Sequence, residues 1–566
     1  MLKIGIIGGG PSALFIYKRI VENAKPGLEV VIFEKGDRPG AGMPYSKEGA
    51  NDEHITNVSG NEIPDLVIPV ADWVRSVPKD TLDKFNIDAN RFNEYKTLPR
   101  LLFGQYLTDQ FKLLQQQGRD KGIATEMRFN TEVEDVIDDP GSAKVRVEVA
   151  NKRPAEFDRV VICTGHLWPK QHEGRVRGYF DSPYPPSKLA FSANHAVAIR
   201  GSSLTAIDAI RTLARYNGDF SYENEKLVYQ AKEGSPDFRI VMHSRNGLLP
   251  ALRFHLEDSH LGKQTILSPE DIRYVRDENG GFLPLDYIFD KNFKEGLAKH
   301  DPEFYELVRD MNLEEFVSMI MEKREKTDAF VLLSREYAEA EKSIRNRESI
   351  YWKEMLGVLS FTMNYPAKYF PAEDMLRLQR VLMPLISVVI AYVPQSSAKE
   401  LLAMHQAGKL SIIAVGENNE IEPQDGGGII YRYQDEGKEA RADYYPTFVD
   451  CIGQPHLSYE EIPFKSLLSG RAVSPAKLYF KNEEAGFKEI NEGNEKVRRD
   501  RDGKLYLLVP GITINDSFQA VDEYNALNER LYIMAVPFIG GYNPDYSGLD
   551  FGEEASRSII KALLKN

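Results

Sequence analysis

Leu2-Lys3-Ile4-Gly5-Ile6-Ile7-Gly8-Gly9-Gly10-Pro11-Ser12-Ala13 is the stretch that decides the fold. Leu2 to Ile7 reads as a short apolar strand running into a Gly8-x-Gly10-x-x-Ala13 turn. The turn opens a helix expected over Pro11 to Val21, and a second strand, Glu29 to Phe33, ends on Glu34 and Lys35. Gly8 makes the tight turn, Gly10 lets the backbone approach a pyrophosphate, and Ala13 lets helix and strand pack closely. Phosphates sit on the unpaired N–H groups of the helix N-terminus, and Glu34 can accept hydrogen bonds from a ribose. A bare G-x-G-x-x-A says little. Strand, turn, helix, strand and acid in that order point to a dinucleotide, although Glu34 lies slightly further from Gly8 than usual.

The rest of the composition narrows the setting. The chain has 566 residues, 42% of them hydrophobic, enough for about three to four domain-sized units. The glycine turn begins so early that no targeting segment is expected before it. No apolar stretch reaches membrane-spanning length. Two distant cysteines, Cys163 and Cys451, point to a reducing compartment, and the expected location is cytoplasmic. A net charge of −14 argues against nucleic acid or an anionic membrane as the main partner, because those surfaces need basic patches. A small-molecule substrate is the expected partner.

A second, degenerate copy of the turn lies at Gly201-Ser202-Ser203-Leu204-Thr205-Ala206, after a strand at Ala196 to Ile199 and before a helix to about Tyr216. Ser203 replaces the middle glycine. The partner strand, Phe238 to His243, ends in Ser244-Arg245, and a serine with an arginine there suits a 2′-phosphate. An ordinary surface arginine is the competing reading. Asn217 to Pro236 reads as an inserted loop or strand pair. The acid after the first turn suits FAD, and the cation after the second suits NADPH.

The chain re-enters each unit on a short apolar strand ending in a small residue and glycine. Arg159 to Ile162 leads to Cys163-Thr164-Gly165, and Phe448 to Asp450 leads to Cys451-Ile452-Gly453. Both cysteines read as buried small residues, since redox-active ones come as C-x-x-C or in exposed electropositive sites.

These motifs, with GMPYS (Gly42 to Ser46), HITNVSGNEIP (His54 to Pro64), LPRLLFGQYL (Leu98 to Leu107), CTGHLWP (Cys163 to Pro169) and SRNGLLP (Ser244 to Pro250), are specific for one family. The chain resembles the bacterial FAD-NAD(P)-binding proteins related to flavin-containing and N-hydroxylating monooxygenases. The resemblance implies that Gly8, Gly10, Pro11, Ser12, Ala13, Glu34 and Lys35 hold the ADP half of FAD. It puts Met43, Tyr45 and Asn57 near the flavin or its ribityl chain, and Val133, in a strand over Thr131 to Ile137, against the adenine. Arg100 would reach a phosphate or close the FAD site. Read from its own surroundings, an interdomain ion pair is equally open to it. Thr164 and Gly165 would join the first cradle. Gly201, Ser202, Ser203, Leu204, Thr205, Ser244 and Arg245 would hold NADPH.

The C-terminus should complete the first unit through a strand at Arg530 to Ala535, the Gly540-Gly541 loop, and a helix from Leu549-Asp550-Phe551 to Leu564. In two-dinucleotide flavoproteins that last helix points its N-terminus at the flavin pyrimidine. The Gly-Asp that often ends the strand is absent here, where the chain continues into Val536-Pro537-Phe538. Ile514 to Phe518 is a loop of open placement.

The expected class is α/β, with two dinucleotide-binding, Rossmann-like units and a large helical insertion. The expected boundaries are 1–190 with 505–566 for FAD, 191–250 with 409–470 for NAD(P), 251–408 for the insertion, and 471–504 as an irregular connection. Within the insertion, Glu322 to Glu348 reads as a solvated helix face. The aromatics Tyr351, Trp352, Phe361, Tyr365, Tyr369 and Phe370 read as core packing rather than a pocket wall. The insertion could roof a site, set specificity or form an oligomer contact.

Flavin chemistry asks few acids of the protein, because the cofactor carries the hard step. His54 and His166 are candidate proton donors, no catalytic residue is otherwise indicated, and no metal-ligand spacing is present. The function expected is an FAD-dependent, NADPH-using oxidoreductase, a flavin monooxygenase acting on a small polar, amine-type substrate. A flavin reductase without oxygen insertion and a non-catalytic FAD-binding sensor are the other readings.

Overall fold

A computed structural model describes residues 2–23, 26–257, 267–435, 437–545 and 548–565. Residues 258–266, within the expected insertion, and the first and last residues of the chain lie outside it.

The opening stretch folds as its pattern dictates. Strand β1 (Leu2–Ile7) leads into helix α1 (Pro11–Asn23) and then strand β2 (Leu28–Phe33). Ile4, Ile6, Val30, Val31 and Ile32 are wholly buried, since a parallel sheet covered on both faces needs near-continuous apolar strands. β1 is flanked by β2 on one side and Arg159–Ile162 on the other, and Leu527–Ile533 pairs beyond that, all parallel. Ala124–Arg128 closes one edge in parallel and Gln519–Val521 the other in antiparallel. This is a six-stranded, doubly wound sheet.

The second sheet is five-stranded and wholly parallel, ordered Tyr179–Phe180, Thr447–Asp450, Ala196–Arg200, Arg239–Ser244, Leu410–Ala414. Its first helix is Leu204–Asn217. Residues after it form an antiparallel strand pair, Gly218–Glu223 with Lys226–Ala231. A three-stranded antiparallel sheet spans 420–445, with Glu420–Pro423 added to the pair Ile429–Gln434 and Ala440–Tyr445.

The insertion is helical, with Leu313–Glu325, Ala329–Asn346, Tyr351–Met363 and Gln395–Gln406 as its long elements. One apolar core joins the first sheet to Ile272, Leu285, Phe316, Leu359 and Leu385 of the insertion. A second core joins the second sheet to Phe330, Leu333, Leu401 and Met404. The insertion therefore has a foot in each α/β unit.

Two expectations fail here. The stretch 471–504 is not irregular: it carries Pro475–Tyr479, Glu483–Asn491 and Val497–Arg499. Leu505–Ile512 pairs with both of these strands in a separate antiparallel sheet and is no part of the six-stranded one. The apolar alternation is present in Ala476, Leu478, Leu505 and Leu507, all buried, but charged residues between them mask it. Nor is Glu322 to Glu348 only a solvated face. Arg324 Nη1 donates to Glu336 Oε1 (2.7 Å) and Lys353 Nζ to the same oxygen (3.1 Å), with all three side chains buried.

Candidate functional site

The first cradle is shaped by close approach. Gly8 has φ +95°, and a Cβ there would lie 2.6 Å from the Cys163 carbonyl oxygen, so no side chain fits between the first and third strands. The Gly9 N–H donates to Glu34 Oε2 (2.7 Å) and the Gly36 N–H to Glu34 Oε1 (2.5 Å). These bonds fix Glu34 at the rim of the turn, and its remaining lone pairs stay available to a ribose. Gly10 faces only Gly42, which leaves a backbone-lined groove over the start of α1. Ala13 is wholly buried against the sheet.

The buried polar atoms that lack a partner among the described residues include Thr164 Oγ1, just past Arg159–Ile162, and Asp550 Oδ1, in the first turn of the helix Gly548–Leu563. Buried polar groups are normally bonded, so such atoms mark where a ligand completes the site. Burial, with Glu62 nearby, pushes the Asp550 carboxyl up to about 8. The helix N-terminus, the orphaned atoms and the glycine groove together fit FAD, with Glu34, Gly8, Gly10, Thr164 and Asp550 as the residues that would hold it.

Other expected residues scatter. Met43 lines a cleft described below, and Tyr45 packs edge-on to Phe103 (4.9 Å). Lys35 is exposed and 3.4 Å from Glu132. Asn57 gives its carbonyl to Arg253 Nη1. Val133 begins a strand, Val133–Asp139, in a separate three-stranded antiparallel sheet. The Gly541 N–H is engaged by Pro510 O (2.8 Å), and Gly541 packs on Val509. Phe551 is buried, edge-on to Phe518.

The second cradle repeats the first. Gly201 has φ +102°, and a Cβ there would meet the Cys451 carbonyl oxygen at 2.7 Å. Ser202 Oγ donates to Leu248 O (2.7 Å), and Ser203 precedes the helix without capping it. Leu204 and Thr205 form its first turn, and Thr205 Oγ1 faces Gly453. Ser244 Oγ is buried without a partner among the described residues, and exposed Arg245 lies 3.3 Å from Glu417. An orphaned hydroxyl beside a lightly paired arginine fits a phosphorylated ribose. Both cysteines are buried, and desolvation raises both thiol pKa values, as inert packing residues require.

The two re-entry loops face each other. Leu167 N–H donates to Gln454 Oε1, Gln454 Nε2 donates back to Leu167 O (both 2.8 Å), and Trp168 Nε1 donates to Gly453 O (3.1 Å). Beside them lies a cavity of about 160 Å³ walled by Met43, His166, Trp168, Tyr184 and Lys188. His166 packs on Trp168, and desolvation lowers its pKa. His456, missed in the sequence, leans on Gly540 of the C-terminal loop. Its signal was its place just beyond the second re-entry glycine.

At the seam between the units, one of the two readings left open for Arg100 is realised and the expectation for His54 is corrected. Arg100 takes the ion-pair role: its Nη1 lies 2.5 Å from Asp208 Oδ2, and its Nε donates to Ile55 O. Tyr184 Oη donates to the same Asp208 oxygen (2.7 Å). His54 is not a proton donor in the cleft. It is wholly buried, its Nδ1 accepts from Asn51 N–H (3.0 Å), and its Nε2 lies 3.2 Å from Asp208 O and from Thr212 Oγ1. Desolvation lowers its pKa and keeps it neutral. Asp208, Tyr184 and Thr212 were missed. An acid among Ala206, Ile207, Ala209 and Ile210, all buried, was the available clue.

Residues 5–167 match the family model described as FAD-NAD(P)-binding, and residues 268–390 match the YdhS-like middle domain. The first α/β unit is thus an FAD-NAD(P)-binding domain, and the expected resemblance holds at that level. The Uncharacterized protein YdhS of Escherichia coli (strain K12) is 27% identical over 475 residues, 82% of this chain and 86% of its own length. Three solved structures are distantly similar over nearly the whole chain. Ornithine N-hydroxylase of Kutzneria sp. 744 shares 13% identity at a TM-score of 0.44, covering 99% of this chain and 98% of its own. Bacillithiol disulfide reductase of Staphylococcus aureus shares 11% at 0.43, covering 100% and 99%. DfoA, the cadaverine monooxygenase of Erwinia amylovora, shares 12% at 0.42, covering 99% and 94%. Among the described residues no helix is long and apolar enough to cross a membrane.

Proposed function

We propose that this chain is an FAD-dependent, NADPH-oxidising monooxygenase that hydroxylates a small polar molecule. The observation that carries the reading is the mutual bonding of Leu167 and Gln454, which sets the mouths of the two dinucleotide cradles against each other. When bound, the flavin supplies electron transfer from nicotinamide to dioxygen. The chain's own residues orient and shield. Asp550, held protonated by burial, offers a donor at the N-terminus of the last helix. His166, which lines the cleft and whose pKa desolvation lowers, is neutral near pH 7 and can take up a proton there. Ser244 and Arg245 would select the 2′-phosphate.

The test uses the FAD-loaded chain. Anaerobic NADPH should bleach its flavin absorbance, and a pool of small amines and acids in air should contain one that stimulates NADPH oxidation. With isotopically heavy dioxygen, the product should carry the label. NADPH consumption matched by hydrogen peroxide, with no labelled product from any stimulating compound, would replace this reading with a flavin reductase. Failure of both nicotinamides to bleach the flavin would replace it with a sensor, a reading favoured by Ser203 in place of the middle glycine.

A further inference from the structure

A second cavity, of about 380 Å³, opens where the insertion meets the loop before Gln519–Val521. Its volume falls among small-molecule sites, about 300–1,000 Å³. Lys368 and Tyr369 line one side, and Ile514, Asn515, Asp516, Val521 and Tyr542 line the other. Tyr365, Lys368 and Tyr369 come from or adjoin the single turn Pro366–Tyr369. Here the aromatic-rich run departs from the expected core packing. Phe361 and Phe370 are buried, whereas Tyr369 walls a cavity.

The polar groups in it converge on one carboxylate. Lys368 Nζ lies 2.7 Å from Asp516 Oδ1, Tyr369 Oη donates to the same oxygen, and the Tyr365 hydroxyl adds a third contact to the carboxylate. The Lys368 ammonium also sits 4.2 Å from the centre of the Tyr365 ring. Arg276 stacks on Tyr369 at 3.6 Å. Desolvation would raise the Asp516 pKa, but Lys368 and the two hydroxyls hold it below the ordinary carboxylate range.

The two partners differ in freedom. The Lys368 side chain is 8% exposed and cannot leave, while Asp516 is 55% exposed. Asp516 rides at the tip of a turn closed by Asn515 Oδ1, which accepts from Ser517 N–H and Gln519 N–H (both 2.9 Å). Such a tip can swing into water at little cost. A buried ammonium paired with a half-exposed carboxylate is poor economy for stability, because desolvating the lysine exceeds what a screened pair returns. Its placement on a cavity calls for a ligand.

We propose that this cavity binds the carboxylate end of a small organic acid, in exchange for Asp516. Asp516 is a tethered stand-in: it already shows that Lys368, Tyr369 and Tyr365 form a three-donor seat for a carboxylate. The carbon skeleton of the acid would lie against Ile514, Val521 and Tyr542. The inference does not rest on the flavin reading, since binding is measured without turnover.

Benzoate, titrated calorimetrically into the purified chain, is the probe, with benzylammonium as its cationic counterpart. Asp516→Asn removes the competing charge and should tighten benzoate several-fold. Lys368→Met should weaken it about tenfold or more, the loss of one charge-assisted hydrogen bond. Lys368→Arg should retain most of it. A merely structural ion pair would move both charge-removing variants in the same direction, so opposite signs are the signature. Benzoate that fails to bind Asp516→Asn, or binds it no better than the unmodified chain, overturns the proposal. So does benzylammonium binding that exceeds benzoate binding and disappears in Asp516→Asn, which would make the cavity a cation site. If Lys368→Met lowers the melting temperature too far to titrate, the Asp516→Asn comparison decides alone.

Discussion

Arg100 Nη1 and Asp208 Oδ2 stand 2.5 Å apart across the seam of the two α/β units, with Asp208 buried and Arg100 only slightly exposed. Arg100 begins the helix Arg100–Asp120 beside the first sheet, and Asp208 sits in the first helix of the second. Tyr184 and the neutral His54 complete the contact. Together with the insertion's foothold in both cores, this bond fixes how the two cradles face each other. The Leu167–Gln454 contact is thus backed by a buried charge contact between the same two units.

Asp208→Asn should leave the Arg100 charge buried without a counter-charge and lower stability by about 3–5 kcal/mol, read from urea unfolding. Replacing both residues by apolar ones of similar volume should recover most of that loss. The wild-type contribution has a defined acid limit. Desolvation would raise the Asp208 pKa, but Arg100 overrides it and holds the carboxyl below its usual value. The pair's stabilisation is thus full at neutral pH and is lost as pH falls through the depressed folded pKa. An Asp208→Asn protein as stable as wild type at pH 7 would contradict this account.

What could be read from the sequence was what is local. The Gly8 and Gly201 turns, the apolar strands and the long insertion helices declare themselves within one or two turns of chain. The seam did so only by half: an interdomain ion pair was open to Arg100, but its partner Asp208 lies 108 positions on and nothing local couples the two. The sheet over 475–512 was hidden for a related reason: two of its strands, Pro475–Tyr479 and Val497–Arg499, are short and lie apart in the sequence. Lys368 looked like one cation in a helical tract, and only the fold places it against Asp516.

The two glycine turns make separable predictions. Gly8→Ala puts a methyl 2.6 Å from the Cys163 carbonyl at φ +95°, a conformation and a contact that alanine does not tolerate. Its purified product should lose bound FAD. Gly201→Ala makes the matching clash with Cys451 at 2.7 Å but leaves the first cradle intact. It should keep FAD and lose NADPH-driven bleaching. Loss of FAD in both, or in neither, would undo the assignment of the cradles.

Asp550 gives a pH signature in the flavin-free chain. Its folded pKa of about 8 stands above its unfolded value of about 3.9, so the folded state binds the extra proton in between. Stability should fall as pH rises from about 4 to about 8, because protons bound only by the folded state are being withdrawn. Asp550→Asn should remove that slope from the melting temperature while leaving the acid limit set by Asp208 in place. An unchanged slope would mean that Asp550 is already ionised at neutral pH and is no donor for a flavin.

Arg245 tests the second cradle's choice of nucleotide. Its guanidinium is largely exposed, with Glu417 at 3.3 Å as its one ion pair among the described residues. An exposed pair of this kind is worth at most about 1 kcal/mol, so a phosphate can readily take the arginine. Arg245→Ala should therefore raise the KM for NADPH by about tenfold to a hundredfold, the worth of one charge-assisted phosphate contact, and leave NADH nearly unchanged. Ser244→Ala should act in the same direction more weakly, since its buried hydroxyl can give the same phosphate a neutral bond. Glu417→Gln should do the reverse, lowering the NADPH KM by freeing the arginine. If Arg245→Ala weakens NADPH and NADH alike, the 2′-phosphate does not lie at Ser244 and Arg245.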